Sequence, residues 1–298
     1  MKRNILLLFT FFACITVQGQ TPVRLVDLRS EHLDRPIGLD NPVPRLSWRM
    51  EDGRQGAVQT SWRIVVDEDS LNVVNGCGRM WDSGKNDSRN QLVAYAGKKL
   101  QPFTRYYWKV ICSDMEYKET ASPVSYFETG MMGMQHWQGA WIGDGKDIHY
   151  GPAPYFRKEF KTGKKVKSAR AYIAAAGLYE LYINGEKVGD HCLAPLYTRF
   201  DRRNLYVAYD VTSQLQNGDN AIGVLLGNGW YNHQSKAVWD FDRAPWRNRP
   251  AFCLDLRITY TDGSVETIPT DLSWRTASGA ITFNSISVSY THLRAHET

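Results

Sequence analysis

The chain has 298 residues, of which 43% are hydrophobic and 22% are charged, and its formal net charge is +5. This composition excludes a largely disordered protein, and the length fits two domains of about 150 residues but not an additional large catalytic barrel. Lys and Arg alternate with Asp and Glu, and the dense cluster at 158–167 carries no nucleic-acid motif, so we expect no nucleic-acid partner. The aromatic share of 12% indicates sugar-facing or interface-facing surface.

Residues 1–19 are typical of a signal peptide. Two cations precede a short apolar run at 5–17, and Gly19 is a small residue placed for cleavage. We therefore expect a secreted or periplasmic protein, and no other stretch of the sequence is apolar enough to cross a membrane. Cys14 is a candidate for lipidation, although the residues before it depart from a lipobox.

Residues 20–130 carry short runs that alternate with period two between turn clusters. Trp62, Ile64 and Val66 fall on one face of such a run. The stretch from Leu100 to Trp108 resembles the tyrosine-corner region of fibronectin type III domains. We predict a fibronectin type III-like β-sandwich here, followed at 131–153 by a Gly-rich linker or inter-domain segment.

Residues 154–286 form a second β region. Asn184-Gly185 predicts a type I′ hairpin, because both residues tolerate a positive φ. Ile222, Val224 and Leu226 alternate in one strand, and a long strand follows from Phe252 to Tyr260. These features predict a jelly-roll-like β-sandwich, so the whole chain is all-β, with no helical period beyond the signal peptide.

The sequence contains no G-x-S-x-G, H-E-x-x-H, phosphate-loop or dinucleotide motif, and we assign no catalytic residue. The most informative segment is 227–250, since a long connection in a compact sandwich tends to be functional. Its aromatic rings suit the C–H faces of sugars, and its polar groups suit hydroxyls, but the same residues suit packing against another domain. The candidates for sugar binding or domain docking are Asn228, Trp230, Tyr231, His233, Trp239, Asp240, Trp246 and Arg247.

Two further possibilities concern ligands and cross-links. Asn184, Asp190 and Asn228 carry oxygens that suit calcium, although Asn184 also serves the turn, and no other cofactor is expected. The remaining cysteines have wide spacings that do not suit zinc. They are either disulfide partners or small buried side chains, and we favour the second alternative for Cys77, Cys112, Cys192 and Cys253.

Two ordered groups of motifs resemble the N-terminal part of bacterial α-L-rhamnosidases of glycoside hydrolase family 78. "VDLRSEHLDRPIGLDNPVPRLSWRM", "QTSWRIVV", "MWDSGK" and "TRYYWKV" are similar to the family's leading fibronectin-like domain. "PAPYFRKEF", "GLYELYINGEKVGDHCLAPLYTRFDRRNLYVAYDVT" and "NAIGVLLGNGWYN" are similar to its next sandwich domain. Single motifs also resemble accessory domains of galactosidases and glucuronidases.

The resemblance implies accessory domains of an enzyme that releases terminal α-L-rhamnose with inversion, through a general acid and base on an α/α barrel. No barrel follows here, so we expect an inactive fragment that would contact this barrel and rhamnose-containing carbohydrate in the complete protein. A stand-alone carbohydrate-binding module is the alternative. Residues 287–298, "SVSYTHLRAHET", depart from the family pattern and resemble a translated sequencing-adapter tail.

Overall fold

The structure is a computed structural model that describes residues 22–234, 236 and 238–286. The predicted signal peptide, including Cys14, and the predicted tail at 287–298 lie outside these residues. In the described part, no helix is long and apolar enough to cross a membrane.

The chain divides into two compact units, each containing segments that are discontinuous in sequence. Among the described residues, the first comprises 22–35 together with Val43–Lys98 and Tyr106–Tyr126. The second comprises Pro36–Pro42, Lys99–Arg105 and the described residues from Phe127 onward.

The N-terminal elements are short strands and one short helix. In chain order they are β1 (Arg24–Ser30), β2 (Arg45–Glu51), β3 (Ser61–Asp67), α1 (Ser70–Val74), β4 (Trp81–Asp82), β5 (Leu92–Ala94), β6 (Arg105–Ser113), β7 (Glu119–Ala121) and β8 (Ser125–Glu128). One sheet has the order β1-β2-β5 and the other β4-β3-β6-β7, with β8 also paired to β6. β1 with β2, β2 with β5, β3 with β4 and β6, and β6 with β7 all pair antiparallel.

The three residues of β3 predicted to share one face are all buried, although Val65 on the opposite face is buried too. Trp62, Ile64 and Val66 are buried, and the Trp62 ring meets Trp48 from the other sheet edge to face, with centroids 6.2 Å apart. Helix α1, which packs against β3, was not predicted. Five residues are too few to show a helical period, and the helix begins where the Asp69 carboxylate accepts a hydrogen bond from Leu71 N at 2.9 Å.

The second unit is also a sandwich of two antiparallel sheets. Its strands are β9 (Pro154–Thr162), β10 (Val166–Ala176), β11 (Leu178–Ile183), β12 (Glu186–Lys187), β13 (Tyr206–Asp210), β14 (Gly218–Gly227), β15 (Ala251–Tyr260), β16 (Val265–Pro269) and β17 (Arg275–Ser278). Short 3₁₀ turns lie at Met134–His136, Thr212–Gln214 and Val238–Arg243. The sheet orders are β13-β10-β15-β16 and β12-β11-β14-β9-β17.

The inward faces of these sheets form one continuous apolar core. Phe252 and Leu254 of β15 and Val224 of β14 are members of this core, and all are essentially inaccessible to solvent. The Asn184-Gly185 turn has φ of 52° and 87° at its two residues, as the predicted type I′ turn requires. The all-β prediction with two sandwiches is therefore confirmed.

The segment at 131–153, predicted as a linker or inter-domain segment, belongs to the second unit and is bonded to its sheet. Gln138 and Gly139 donate their backbone N–H groups to the Asp255 carboxylate at 2.9 and 2.8 Å. Ile142 exchanges two backbone hydrogen bonds with Phe252 of β15. The segment therefore acts as an irregular addition to the edge of this sandwich.

The four described cysteines are free. Cys112 and Cys253 are buried, which agrees with the preferred prediction, whereas Cys77 and Cys192 are exposed, which does not. Both exposed cysteines lie in surface connections, and the spacing of cysteines along a sequence does not show which of them are buried.

The second unit contains a buried ion pair. Arg170 on β10 donates to both oxygens of Glu128, at 2.6 and 3.0 Å, and the two side chains are 10% and 8% exposed. Glu128 also accepts from Arg105, and Arg170 contacts Asp210 at 2.9 Å. Bidentate geometry and low exposure make this network expensive to disrupt on one side only.

We expect Glu128→Ala to lower the free energy of unfolding of the second unit by about 3 kcal/mol or more, because it leaves the Arg170 guanidinium buried and only partly paired. The double variant Glu128→Leu/Arg170→Met should recover most of this loss. Lys164→Ala, which removes an ion pair that is half exposed, is the control and should cost less than about 1 kcal/mol. Equal losses for Glu128→Ala and Lys164→Ala in urea denaturation would contradict the prediction that the buried Glu128–Arg170 pair is costly to break on one side.

Candidate functional site

The long connection at 227–250 has the predicted boundaries. β14 ends at Gly227 and β15 begins at Ala251, and these strands belong to different sheets. At its start, Gly229 has a φ of 50°, and a Cβ there would lie 2.9 Å from Leu178 Cγ. Glycine is therefore needed for the chain to leave β14 in this direction.

Buried amides fix the first turn of this connection. Asn228, which is 1% exposed, donates its backbone N–H to Asn284 Oδ1 and its side-chain amide to the Asn284 carbonyl, the latter at 2.9 Å. Asn232 donates to Asn228 Oδ1 at 3.1 Å and to the Ile148 carbonyl at 2.9 Å. Arg247 completes the network by donating to Asn232 Oδ1 at 3.0 Å. The loop therefore has a satisfied polar base.

An arginine holds the other end. Arg249 Nη2 lies 2.7 Å from Asp144 Oδ2, and the two side chains are 6% and 7% exposed. The same guanidinium donates to the carbonyls of Tyr150 and Pro152 at 2.7 and 2.6 Å. Burial alone would raise the pKa of Asp144, but the hydrogen bonds from Arg249 and Lys146 N outweigh it and hold that pKa below its ordinary value.

Above this base lies a cluster of rings that we call the aromatic patch. Trp230 stacks on the buried His233 with centroids 5.6 Å apart and planes at 8°, and Tyr197 stacks on Phe241 at 5.7 Å. Most of the other contacts are edge to face, as ring quadrupoles favour. The patch comprises Tyr197, Phe200, Trp230, Tyr231, His233, Trp239, Phe241 and Trp246.

The tip of the patch is strained. Trp239 and Asp240 have φ of 66° and 51°, in the left-handed region that bulky residues avoid. Trp239 is 75% exposed, and the neighbouring Tyr197 and Leu196 are 45% and 75% exposed. Strained backbone that presents an exposed indole is typical of a functional surface.

The structure separates the predicted candidates into two groups. Trp230, Tyr231, Trp239 and Trp246 lie in the patch, with Asp240 exposed beside Trp239. Asn228 and Arg247 belong instead to the polar base, and His233 is buried beneath Trp230, so these three position the loop. Sequence reasoning missed Tyr197 and Phe200, which come from another connection; they lie in a motif that resembles the family, but nothing in that motif indicates contact with 227–250.

Two of the three calcium candidates, Asn184 and Asn228, lie next to opposite ends of the β11–β14 pair. Asn184 follows the end of β11 that pairs with Ile222, whereas Asn228 follows the end of β14 that pairs with Leu178. A strand of this length separates them by about 15–20 Å, and Asn184 is engaged with Gln214 and Asn220. Among the described residues, no group of three or more His, Cys, Asp or Glu is arranged to hold a metal ion.

The fold and site define a chain of two β-sandwich units, the second with an aromatic patch over a polar base. Residues 25–133 match the family model for the Rha78A-like N-terminal immunoglobulin domain, and residues 164–292 match that for the α-L-rhamnosidase N-terminal domain. Immunoglobulin and fibronectin type III domains share the sandwich architecture that the sequence predicted.

Individual relatives agree with these models. An α-L-rhamnosidase of Formosa agariphila is 32% identical over an alignment covering 95% of this chain and 33% of that protein. The structures of α-L-rhamnosidases from Dictyoglumus thermophilum and Aspergillus terreus are 37% and 28% identical, with TM-scores of 0.81 and 0.78. They cover 88% and 89% of this chain, which in turn covers 30% of each.

These matches identify the two units as the N-terminal domains found in α-L-rhamnosidases. The chain spans about a third of the length of the relatives it matches.

The lowered pKa of Asp144 predicts an acid-sensitive site. Its ionised form stabilises the fold above the unfolded pKa of about 3.9, and this contribution is lost as the pH falls further. Asp144→Asn should lower the melting temperature at neutral pH and flatten its decline between about pH 5 and pH 3. Asp147→Asn, which removes an exposed carboxylate, is the control. A parallel decline in Asp144→Asn and the unaltered chain would contradict the prediction.

Proposed function

We propose that the chain is the accessory N-terminal part of an exported α-L-rhamnosidase. In its complete form this enzyme would release terminal α-L-rhamnose from glycans or glycosides by an inverting mechanism. The observation that carries the proposal is the ordered match of both units to the N-terminal third of α-L-rhamnosidases. The signal-peptide pattern at 1–19 supports export to the periplasm or the cell exterior.

Two carboxylates near the aromatic patch are already paired with arginines, which agrees with an accessory role. Inverting hydrolysis needs two carboxyl groups about 6.5–9.5 Å apart across the scissile bond. Asp144 is paired with Arg249 at 2.7 Å, and Asp201 is paired with Arg199 at 2.9 Å. In the complete enzyme, the general acid and base would lie on the catalytic barrel that the resemblance implies.

The test compares the chain with a longer form that includes the coding sequence downstream. We expect no hydrolysis of an aryl α-L-rhamnoside by the chain and turnover with inverted product, followed by proton NMR, from the longer form. Turnover by the chain itself would overturn the accessory assignment, as would a longer form that is folded but acts on a different glycoside.

Within this role, we propose that the aromatic patch packs against another protein surface. Its rings contact one another by stacking and edge contacts, Tyr197 and Trp239 both contact Phe241, and the aliphatic Leu196 next to Tyr197 in sequence is 75% exposed. Aliphatic side chains suit a protein partner better than sugar hydroxyls, and exposed apolar patches of this kind mark interaction sites. In the complete enzyme the partner surface would be the catalytic barrel.

The exposed patch should make the chain associate with itself. We expect concentration-dependent association by sedimentation velocity, and we expect Leu196→Ser/Trp239→Ser to reduce it, because both changes remove exposed apolar area. Leu272→Ser removes a fully exposed leucine elsewhere in the same unit and should leave the association unchanged. Equal effects of the two variants would count against the patch as the responsible surface.

A second candidate function is sugar binding at the same tip, as in a carbohydrate-binding module. The exposed indole of Trp239 next to the Asp240 carboxylate favours it, since sugars stack on rings and donate hydroxyls to carboxylates. Titration with L-rhamnose, with and without calcium, should then quench tryptophan fluorescence, and Trp239→Ala should abolish the change. Trp141→Ala, which removes a 44% exposed indole, is the control. No response at millimolar rhamnose would leave docking as the function of the patch.

A further inference from the structure

The outer face of the five-stranded sheet β12-β11-β14-β9-β17 forms a trough. None of the residues that line it belongs to the aromatic patch. Its volume is about 1350 Å³, and its floor is the central strand β14. This surface lies wholly within the second unit.

The floor is low because β14 presents small residues outward. Ile222 and Val224 point into the core, so the alternating Ala221 and Gly223 face the trough. Gly223 has no positive φ, and a Cβ there would meet its nearest neighbours at 3.6 Å or more, which is ordinary contact. The fold therefore does not require glycine at this position, although glycine weakens a strand. The lack of a side chain at Gly223 leaves open space above the floor of the trough.

A row of side chains crosses this floor. Tyr182 on β11 pairs with Gly223, Gly223 pairs with Arg157 on β9, and Arg157 pairs with Arg275 on β17. All four line the trough. Arg157 and Arg275 are thus directly opposite on adjacent antiparallel strands, where like charges are destabilising.

The other charges of this face are compensated. Arg157 pairs with Glu159 at 2.7 Å, and Lys187 pairs with Glu180 at 2.6 Å. Across the described residues, no ion-pair partner is found for Arg275, so one positive charge remains unbalanced next to the Arg157–Glu159 pair.

The opposite wall supplies a ring. Tyr182 donates its hydroxyl to Glu180 at 2.6 Å, which fixes the ring on the far side of Gly223 from the arginines. Tyr155 lies in the next row along β9 and also lines the trough. A ring wall, an open floor and a guanidinium wall together suit a sugar ring that carries an anionic group.

We propose that this trough binds an acidic oligosaccharide whose carboxylate contacts Arg275 and Arg157 while a sugar ring lies over Gly223 against Tyr182. The planar carboxylate matches the fork of a guanidinium and removes the like-charge opposition between the two arginines. This site is separate from the aromatic patch, and the proposal does not depend on the assignment of the parent enzyme.

The test is calorimetric titration of the chain with trigalacturonate and with its methyl ester, which has the same size but no charge. At about 20 mM salt we expect the acid to bind at least tenfold more tightly than the ester, and we expect about 0.5 M salt to weaken binding of the acid. Equal affinities for acid and ester, or no binding of the acid to folded protein, would overturn the proposal.

Two variants locate the ligand. Arg275→Gln should weaken binding of the acid about ten- to hundredfold, while the melting temperature of the free protein stays the same or rises because the like-charge pair is gone. Gly223→Val fills the floor with a strand-favouring residue and should abolish binding without unfolding the chain.

Arg49→Gln is the matched control, because Arg49 is as exposed as Arg157 and lies on a strand in the other unit. Its affinity for trigalacturonate should equal that of the unaltered chain. Binding that survives Gly223→Val, or that falls equally in Arg49→Gln and Arg275→Gln, would show that the acid binds elsewhere by general charge attraction, and the proposal would fail.

Discussion

The geometry of the aromatic patch depends on the buried polar anchors at the two ends of its loop. Asn228 and Asn284 bond each other through backbone and side chain at one end, and Arg249 binds Asp144 and two carbonyls at the other. A connection of this length loses much conformational entropy when it is ordered, and stacked rings alone are weak directional restraints. The anchors supply directional bonds in a buried setting, where an unpaired polar group would be costly. The fixed base therefore holds the exposed and strained tip at Trp239 in its conformation.

Strand β14 connects the core, the trough and the patch. Its inward residues, such as Val224, belong to the apolar core, and its outward Gly223 forms the floor of the trough. The same strand then runs through Gly227 into the anchored loop. Because side chains alternate strictly along a strand, a shift of one residue would bury the floor and expose the core. Its pairings with β11 and β9 proceed without a register shift, which keeps both surfaces in place.

Sequence reasoning succeeded where the determining interactions are local. Period-two alternation located the buried faces of β3, β14 and β15, and the Asn184-Gly185 pair identified its turn. It failed where the partner lies far along the chain. Arg249 and Asp144 are 105 positions apart, and Tyr197 reaches Trp230 from a separate connection, so neither contact leaves a spacing in the sequence. The resemblance to rhamnosidases supplied the domain organisation but not these contacts. Asn228 and Arg247 are predicted candidates for sugar binding or domain docking, and the structure places both in the polar base of the loop.

The two surfaces of the second unit differ in how completely their groups are satisfied. In the aromatic patch, rings contact rings and the exposed tip presents apolar area, which favours a partner that removes this area from water. In the trough, what remains unbalanced is a guanidinium opposite another guanidinium. A hydrophobic surface would leave this charge unsolvated, whereas an anion with hydroxyl groups would satisfy it and keep it hydrated. The patch leaves apolar area exposed, and the trough leaves a positive charge unbalanced. The two surfaces therefore favour different partners, a protein surface at the loop and a charged sugar on the sheet.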